Sequence, residues 1–158
     1  MMLLKNRKLG RKIDEIKEGE TLTLTEKMED KDLLLYLGLT NDANPLYVQH
    51  DYASQTTYKK PLVPSIMLIG MVTSAVSKYL PGPGSHILSH HIEFPNPVHH
   101  YETIKFRFEV KEVKVKENEV VIEIVGENED GSRVLNGRIK VCPPSQIKGM
   151  DGTVLENF

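Results

Sequence analysis

Most of the side chains here that could do chemistry sit in one short loop. Residues 41–45 read Asn41-Asp42-Ala43-Asn44-Pro45, and Tyr47 follows two positions later. A carboxylate such as Asp42 can take a proton from water or hold that water in place. A phenol such as Tyr47, with an ordinary pKa of about 10, can donate a hydrogen bond but is a poor base near neutrality. The same run is also a cluster of turn formers, in which Asp42 has the simpler task of accepting from loop amides. On the residues alone, both uses stand. The remaining reactive types are less organised. Cys142 is the only cysteine, so no internal disulfide forms; with no base near it in sequence, it reads as a packing residue. His90-His91 and His99-His100 are adjacent pairs, which on strands point to opposite faces, so no metal site is expected. No cofactor motif is present.

The element that must position the loop is the apolar run at residues 62–80, LVPSIMLIGMVTSAVSKYL, whose only charge is Lys78. Pro61 and Pro64 suit an opening turn, Ser65 is a candidate N-cap, and Pro81-Gly82-Pro83-Gly84 ends the helix. A helix apolar nearly all round is buried, in protein or in lipid. A membrane span needs roughly 20 apolar residues, and this run is shorter and carries four serine and threonine side chains. It therefore reads as a helix enclosed by a curved sheet, its small residues (Ser65, Gly70, Ser74, Ala75, Ser77) lying where strands press close. An ordinary core helix of another α+β domain is the other reading.

Composition narrows the rest. A chain of 158 residues is about one domain with a core at residues 10–142 and a tail at 143–158. Twenty basic residues against 22 acidic ones give a net charge of −2, so nucleic-acid binding is not expected. The basic run at residues 5–12 reads as a solvated tail. The single cysteine fits a reducing compartment, and the N-terminus lacks a secretory h-region, so a cytoplasmic location is expected, with no membrane partner.

The elements follow in order. Residues 21–25 alternate leucine and threonine as a half-buried strand. Residues 31–37 form a short helix stopped by Gly38, and His50-Asp51 cap another over residues 52–58. Four strands come after the central helix, at about 86–94, 104–111, 119–124 and 135–141, with a hairpin turn at Glu129-Asp130-Gly131. Charged alternates make the sheet antiparallel and wet on one face. This order suits an α+β fold of the hot-dog type, a bent antiparallel sheet wrapped around one central helix.

Residues 36–53, YLGLTNDANPLYVQHDYA, resemble the signature loop of the MaoC-like, R-specific enoyl-CoA hydratase family: an aromatic, then Ser-Gly-Asp-x-Asn-Pro-apolar-His, then Tyr-Ala. Asp42, Asn44, Pro45, Leu46, Tyr52 and Ala53 fall into register. The similarity continues through Lys60-Pro61, Leu80-Pro81-Gly82, Phe94 with Pro97-Val98, and the last strands, covering roughly residues 10–142. It implies hydration of a trans-enoyl thioester, or the reverse dehydration, without a cofactor.

Such chemistry needs a base for water, an acid for the α carbon, and donors where enolate charge develops at the thioester oxygen. The resemblance assigns the catalytic positions to Asp42 as base, Tyr47 at the site of the family's histidine, and Ser65 as oxyanion donor through its backbone N–H. It assigns substrate binding to Asn44, Pro64, Ile66 and Met67. The departures fall on the glycine before the aspartate (Asn41), the histidine (Tyr47), the His-Gly pair (Pro64-Ser65) and a Gly-Asp-Thr turn (Tyr101-Glu102-Thr103). His50, three residues past Tyr47, sits at a helix start and is a poor substitute. Two readings follow: an acyl-thioester hydratase or dehydratase with an altered site, or a non-catalytic module that binds acyl-CoA or an acyl-carrier thioester. A hot-dog thioesterase would place a carboxylate on or near the central helix, and residues 62–80 hold none. The resemblance, with a bent sheet whose open edges need covering, implies a homodimer or a higher homo-oligomer.

Overall fold

The computed structural model describes residues 9–145; the first half of the basic run and most of the tail lie outside the described residues. Alternation of apolar and polar side chains puts five strands into one antiparallel sheet: β1 (Thr21–Lys27), β2 (His86–Glu93), β3 (Thr103–Lys114), β4 (Glu119–Glu127) and β5 (Arg133–Cys142). Their order across the sheet is β1-β3-β4-β5-β2. β2 thus pairs with the last strand, Ile92 opposite Gly137, and forms one edge while β1 forms the other. The turn at Gly131 (φ 78°) is closed by Gly131 N–H to Asn128 O, joining β4 to β5 as the sequence suggests.

Four helices lie between β1 and β2: α1 (Asp30–Thr40), α2 (Pro45–Val48), α3 (His50–Ser54) and α4 (Ser65–Lys78). α4 is the central helix. Leu68, Val72, Ala75 and Val76 bury one of its faces in a core shared with Phe106, Phe108, Ile122, Ile124, Leu135 and Ile139. Burial of such side chains stabilises by about 1.5–3 kcal/mol each, so this face fixes the helix on the sheet.

The opposite face differs from the sequence expectation. Ser65, Gly70, Thr73 and Ser77 are exposed, Ile66 is 53 % exposed, and nothing lies within 4 Å of where a Gly70 Cβ would be. Of the small residues only Ala75 is packed into the core; Ser65, Gly70 and Ser77 lie on an outward face that the described residues leave uncovered, and Ser74 is half-buried beside them. Ser65 is the first helical residue rather than the N-cap. Pro64 holds that position, with no side chain capping the helix.

Two further boundaries shift. α1 runs through Gly38 to Thr40 and is stopped by Asn41 in the left-handed conformation (φ 56°), whose N–H reaches Leu37 O at 2.8 Å. Asparagine tolerates that conformation better than most side chains. Asn41→Ala is therefore expected to lower stability by about 1 kcal/mol, measured by chemical denaturation, whereas Asn41→Gly leaves it near the wild type. α3 begins at His50 and ends at Ser54, with Gln49 before it, shorter than the sequence suggests.

Candidate active site

The loop after α1 is built from its own side chains. Thr40 Oγ1 accepts from Asp42 N–H at 3.2 Å, Asp42 Oδ1 accepts from Asn44 N–H at 3.1 Å, and Asn44 Oδ1 accepts from Leu46 N–H at 3.0 Å, capping α2. This is the turn chemistry legible in the sequence, and it gives Asn44 and Pro45 a structural task whatever else they do. The other carboxylate oxygen is occupied from further away. Tyr36, on α1, donates its hydroxyl to Asp42 Oδ2 at 2.6 Å. Asp42 is half-buried, and both its oxygens are oriented.

Tyr36 was visible in the sequence only as the aromatic that opens the loop motif. Its partner lies six residues on, across the end of α1, a pairing that no helix or turn spacing announces. The bond to Asp42 raises the Tyr36 phenol above its ordinary value, followed by desolvation, with a smaller contribution from nearby Tyr47. Tyr101 is raised for the same first reason, its hydroxyl donating to Asp30.

Both phenols have folded values above the ordinary 10.0. Their contribution to stability is present below that pH and lost as pH climbs through the folded values. Absorbance titration at 295 nm should show two tyrosines ionising later than the rest; Tyr36→Phe and Tyr101→Phe should each remove one late step.

Tyr47 is the wall between two cavities. One, of about 220 Å³, is lined by Leu46, Tyr47, Leu62, Ser65, Leu68 and the Phe94–Val98 turn among others. It brings together Tyr47 and the leading end of α4. Ser65, as the first helical residue, has an N–H with no partner inside the helix, and the macrodipole makes that end favourable for negative charge. The second cavity, of about 600 Å³, lies between α1, α2 and residues 99–101.

The remaining sequence-named residues divide. Pro64 is buried at the helix entry, Ile66 faces outward, and Met67 lines a separate groove with Met28, Gly70 and Met71. Ile66 and Met67 are thus not on the walls that Tyr47 and Ser65 share. Asp42 lines neither of Tyr47's cavities; its oxygens face Tyr36 and the loop amide. His90 and His91 are exposed on β2, and His99 Nδ1 lies 3.1 Å from Pro61 O. Among the described residues no group of three or more metal-ligating side chains converges, and no helix is long and apolar enough to cross a membrane.

A single apolar helix on an antiparallel sheet, with a polar loop beside the start of that helix, defines a hot-dog fold. The same architecture is seen in an R-hydratase of Pseudomonas aeruginosa, which superposes with a TM-score of 0.79 at 26% identity over 87% of this chain and 88% of that one. The profile of the MaoC like domain matches residues 8–130, and the chain belongs to that family. It is similar to the (R)-specific enoyl-CoA hydratase of Rhodospirillum rubrum, 31% identical over 91 residues, 58% of this chain and 63% of that protein. It is also similar to a mitochondrial 3-hydroxyacyl-[acyl-carrier-protein] dehydratase of Solanum lycopersicum, 24% identical over 134 residues, 84% of this chain and 80% of that protein. The chain spans less than two thirds of the length of the Rhodospirillum relative.

Proposed function

We propose that this protein adds water across, or removes it from, the α,β bond of an acyl thioester presented on CoA or a carrier protein. The cavity that brings Tyr47 to the leading end of α4, in a chain of the MaoC-like family, carries the reading. The Asp42 carboxylate is fixed by Tyr36 and Asn44 on the same loop, beside that cavity rather than in its wall. Asp42 takes the proton of a water held between its carboxylate and the cavity, and that water attacks the β carbon. The protonated carboxyl returns the proton to the α carbon, so that one water is added in all. Tyr47 donates a hydrogen bond at the cavity wall, and the Ser65 N–H receives the charge that develops on the thioester oxygen. Tyr36 does not touch substrate in this scheme; it positions the carboxylate. Asn44 caps α2, which carries Tyr47, and Pro64 stands just before Ser65; both act by placing those elements and neither lines the cavity. Ile66 and Met67, on the uncovered side of α4, meet substrate only where a second copy closes over them.

The expected assay result is loss of the conjugated-thioester absorbance of crotonyl-CoA on adding purified protein. Saturable binding without that loss would favour the second reading, a thioester-binding module. Tyr47, a weak base where the resemblance calls for an imidazole, is the observation behind it.

The outward face of α4 and the edge of β2, which no strand of the described residues pairs and where Leu88 is 46 % exposed, also need covering. We place a second copy there, making a homodimer that works in the cytoplasm with one hot-dog domain per chain. Light scattering at micromolar concentration should give twice the chain mass of 17.9 kDa; a monomer would remove this part of the reading.

A further inference from the structure

Helix α1 carries leucine at five of its 11 positions, and of these only Leu33 is buried. Leu35 is 73 % exposed and Leu39 85 %. A helix apolar on every side is normally covered, so the bare side of α1 calls for a partner. The 3.6-residue period says which side that is. Asp30, Leu33, Leu34 and Leu37 face the 600 Å³ cavity beside Tyr47. Lys31 and Asp32 face the other way, into a groove of about 500 Å³ whose far wall is Met67, Gly70, Met71 and Ser74 of α4. Leu35 and Leu39 continue the Lys31–Asp32 side along the helix, so they extend the surface begun by the outward face of α4. The charges around the groove balance, Glu26, Glu29 and Asp32 against Lys27, Lys31 and Lys78. A balanced rim suits a partner with the same set of charges, and a leucine-rich, weakly charged face is typical of contacts between like subunits.

Resting on the hydratase reading and on the second copy placed against α4, we infer that the same second copy also seats on Leu35 and Leu39, and that this contact holds the Asp42 loop in its working position. A two-fold contact buries the same residues of both copies, so each copy secures the other's α1. Leu39 stands three residues before Asp42, and Tyr36, on the same helix, holds Asp42 Oδ2 at 2.6 Å. A shift of α1 therefore moves both the carboxylate and the group that orients it. Within one chain α1 is fastened on its inner side, by Leu33 and by the hydroxyl that Tyr101 donates to Asp30. The second copy fastens the outer side. A single chain is then a poor catalyst, and activity follows assembly.

The double variant Leu35→Glu, Leu39→Glu puts good helix formers at exposed positions, so the chain should fold, which far-ultraviolet circular dichroism checks. Val115→Glu makes a like change at an exposed valine between β3 and β4 and is the control. Mass by light scattering and crotonyl-CoA turnover per chain are read over one dilution series. The double variant should raise the dimer Kd on the order of 100-fold, as for two leucines lost from each side of an interface, and the milder Leu39→Ala about tenfold. Val115→Glu should leave it unchanged. Wild-type turnover per chain should fall in the concentration range where its mass falls from two chains to one. Variants that pair as tightly as wild type overturn the inference and leave both the α4 contact and the hydratase reading standing. A single chain, from dilution or from the double variant, that works as fast as the pair overturns the link to Asp42. A wild type that never pairs overturns the inference together with the α4 contact. Pairing through Leu35 and Leu39 without any hydration of crotonyl-CoA contradicts the hydratase reading alone.

Discussion

Asp42→Ala lowers the rate of crotonyl-CoA hydration by about 10²–10⁴-fold, the usual contribution of a positioned acid–base group. The loss should lie in kcat, because Asp42 lines neither cavity that would hold the substrate and acts on water. Thioester affinity should change little. Tyr36→Phe gives the graded counterpart. It keeps the ring and removes the 2.6 Å bond that holds Oδ2, leaving the carboxylate present but free to turn. Its rate should fall between wild type and Asp42→Ala. Equal rates for Tyr36→Phe and wild type would remove Tyr36 from the scheme, and a wild-type rate in Asp42→Ala would remove the carboxylate itself.

The second large effect is on the scaffold. Gly137→Ala is expected to destabilise the protein on the order of 3 kcal/mol, because the strain falls on backbone that cannot rotate away. A Cβ at this position (φ 159°) would stand 2.1 Å from His91 O and 2.8 Å from Ile92 Cα. Both neighbours belong to β2, which faces Gly137 in the ladder. Relief requires β2 to move away from β5. The chain leaving β2 forms the Phe94–Val98 turn of the smaller cavity, and Val98 O accepts from Val63 N–H at 2.8 Å just before α4. The variant should therefore lose thioester binding along with stability. Denaturant titration showing a loss below about 0.5 kcal/mol, ordinary for a benign surface change, would show that β2 is not held as closely as described.

What the sequence disclosed follows from which forces are local. The period-two alternation of Leu22 and Leu24, of Phe106 and Phe108, and of Ile122 and Ile124 announced strands with one dry face, and those faces form the core. The turn chemistry of Asp42 and Asn44 was equally legible, since each side chain bonds an amide two residues on. Gly38 misled because glycine is a common helix stop; Asn41 supplied the left-handed residue three positions later, and nothing forced the helix to end sooner.

The outward half of α4 was misjudged for a different reason. Hydropathy records that a face avoids water, not which surface covers it, and among the described residues nothing covers Ile66 or Gly70. The partnership of Tyr36 with Asp42 depends on the angle at which α1 enters the loop, which spacing alone does not give. Lys60 and Asp30 lie 30 residues apart in sequence, and only the folded chain puts them in the lining of one cavity.

The most direct measurement is of the product. Protein incubated with crotonyl-CoA is quenched and its thioesters weighed by mass spectrometry, wild type beside Asp42→Ala. The account predicts a hydroxyacyl-CoA heavier than the substrate by one water with wild type, and substrate recovered unchanged with the variant. Unchanged crotonyl-CoA from the wild type, or equal product from both, would contradict it.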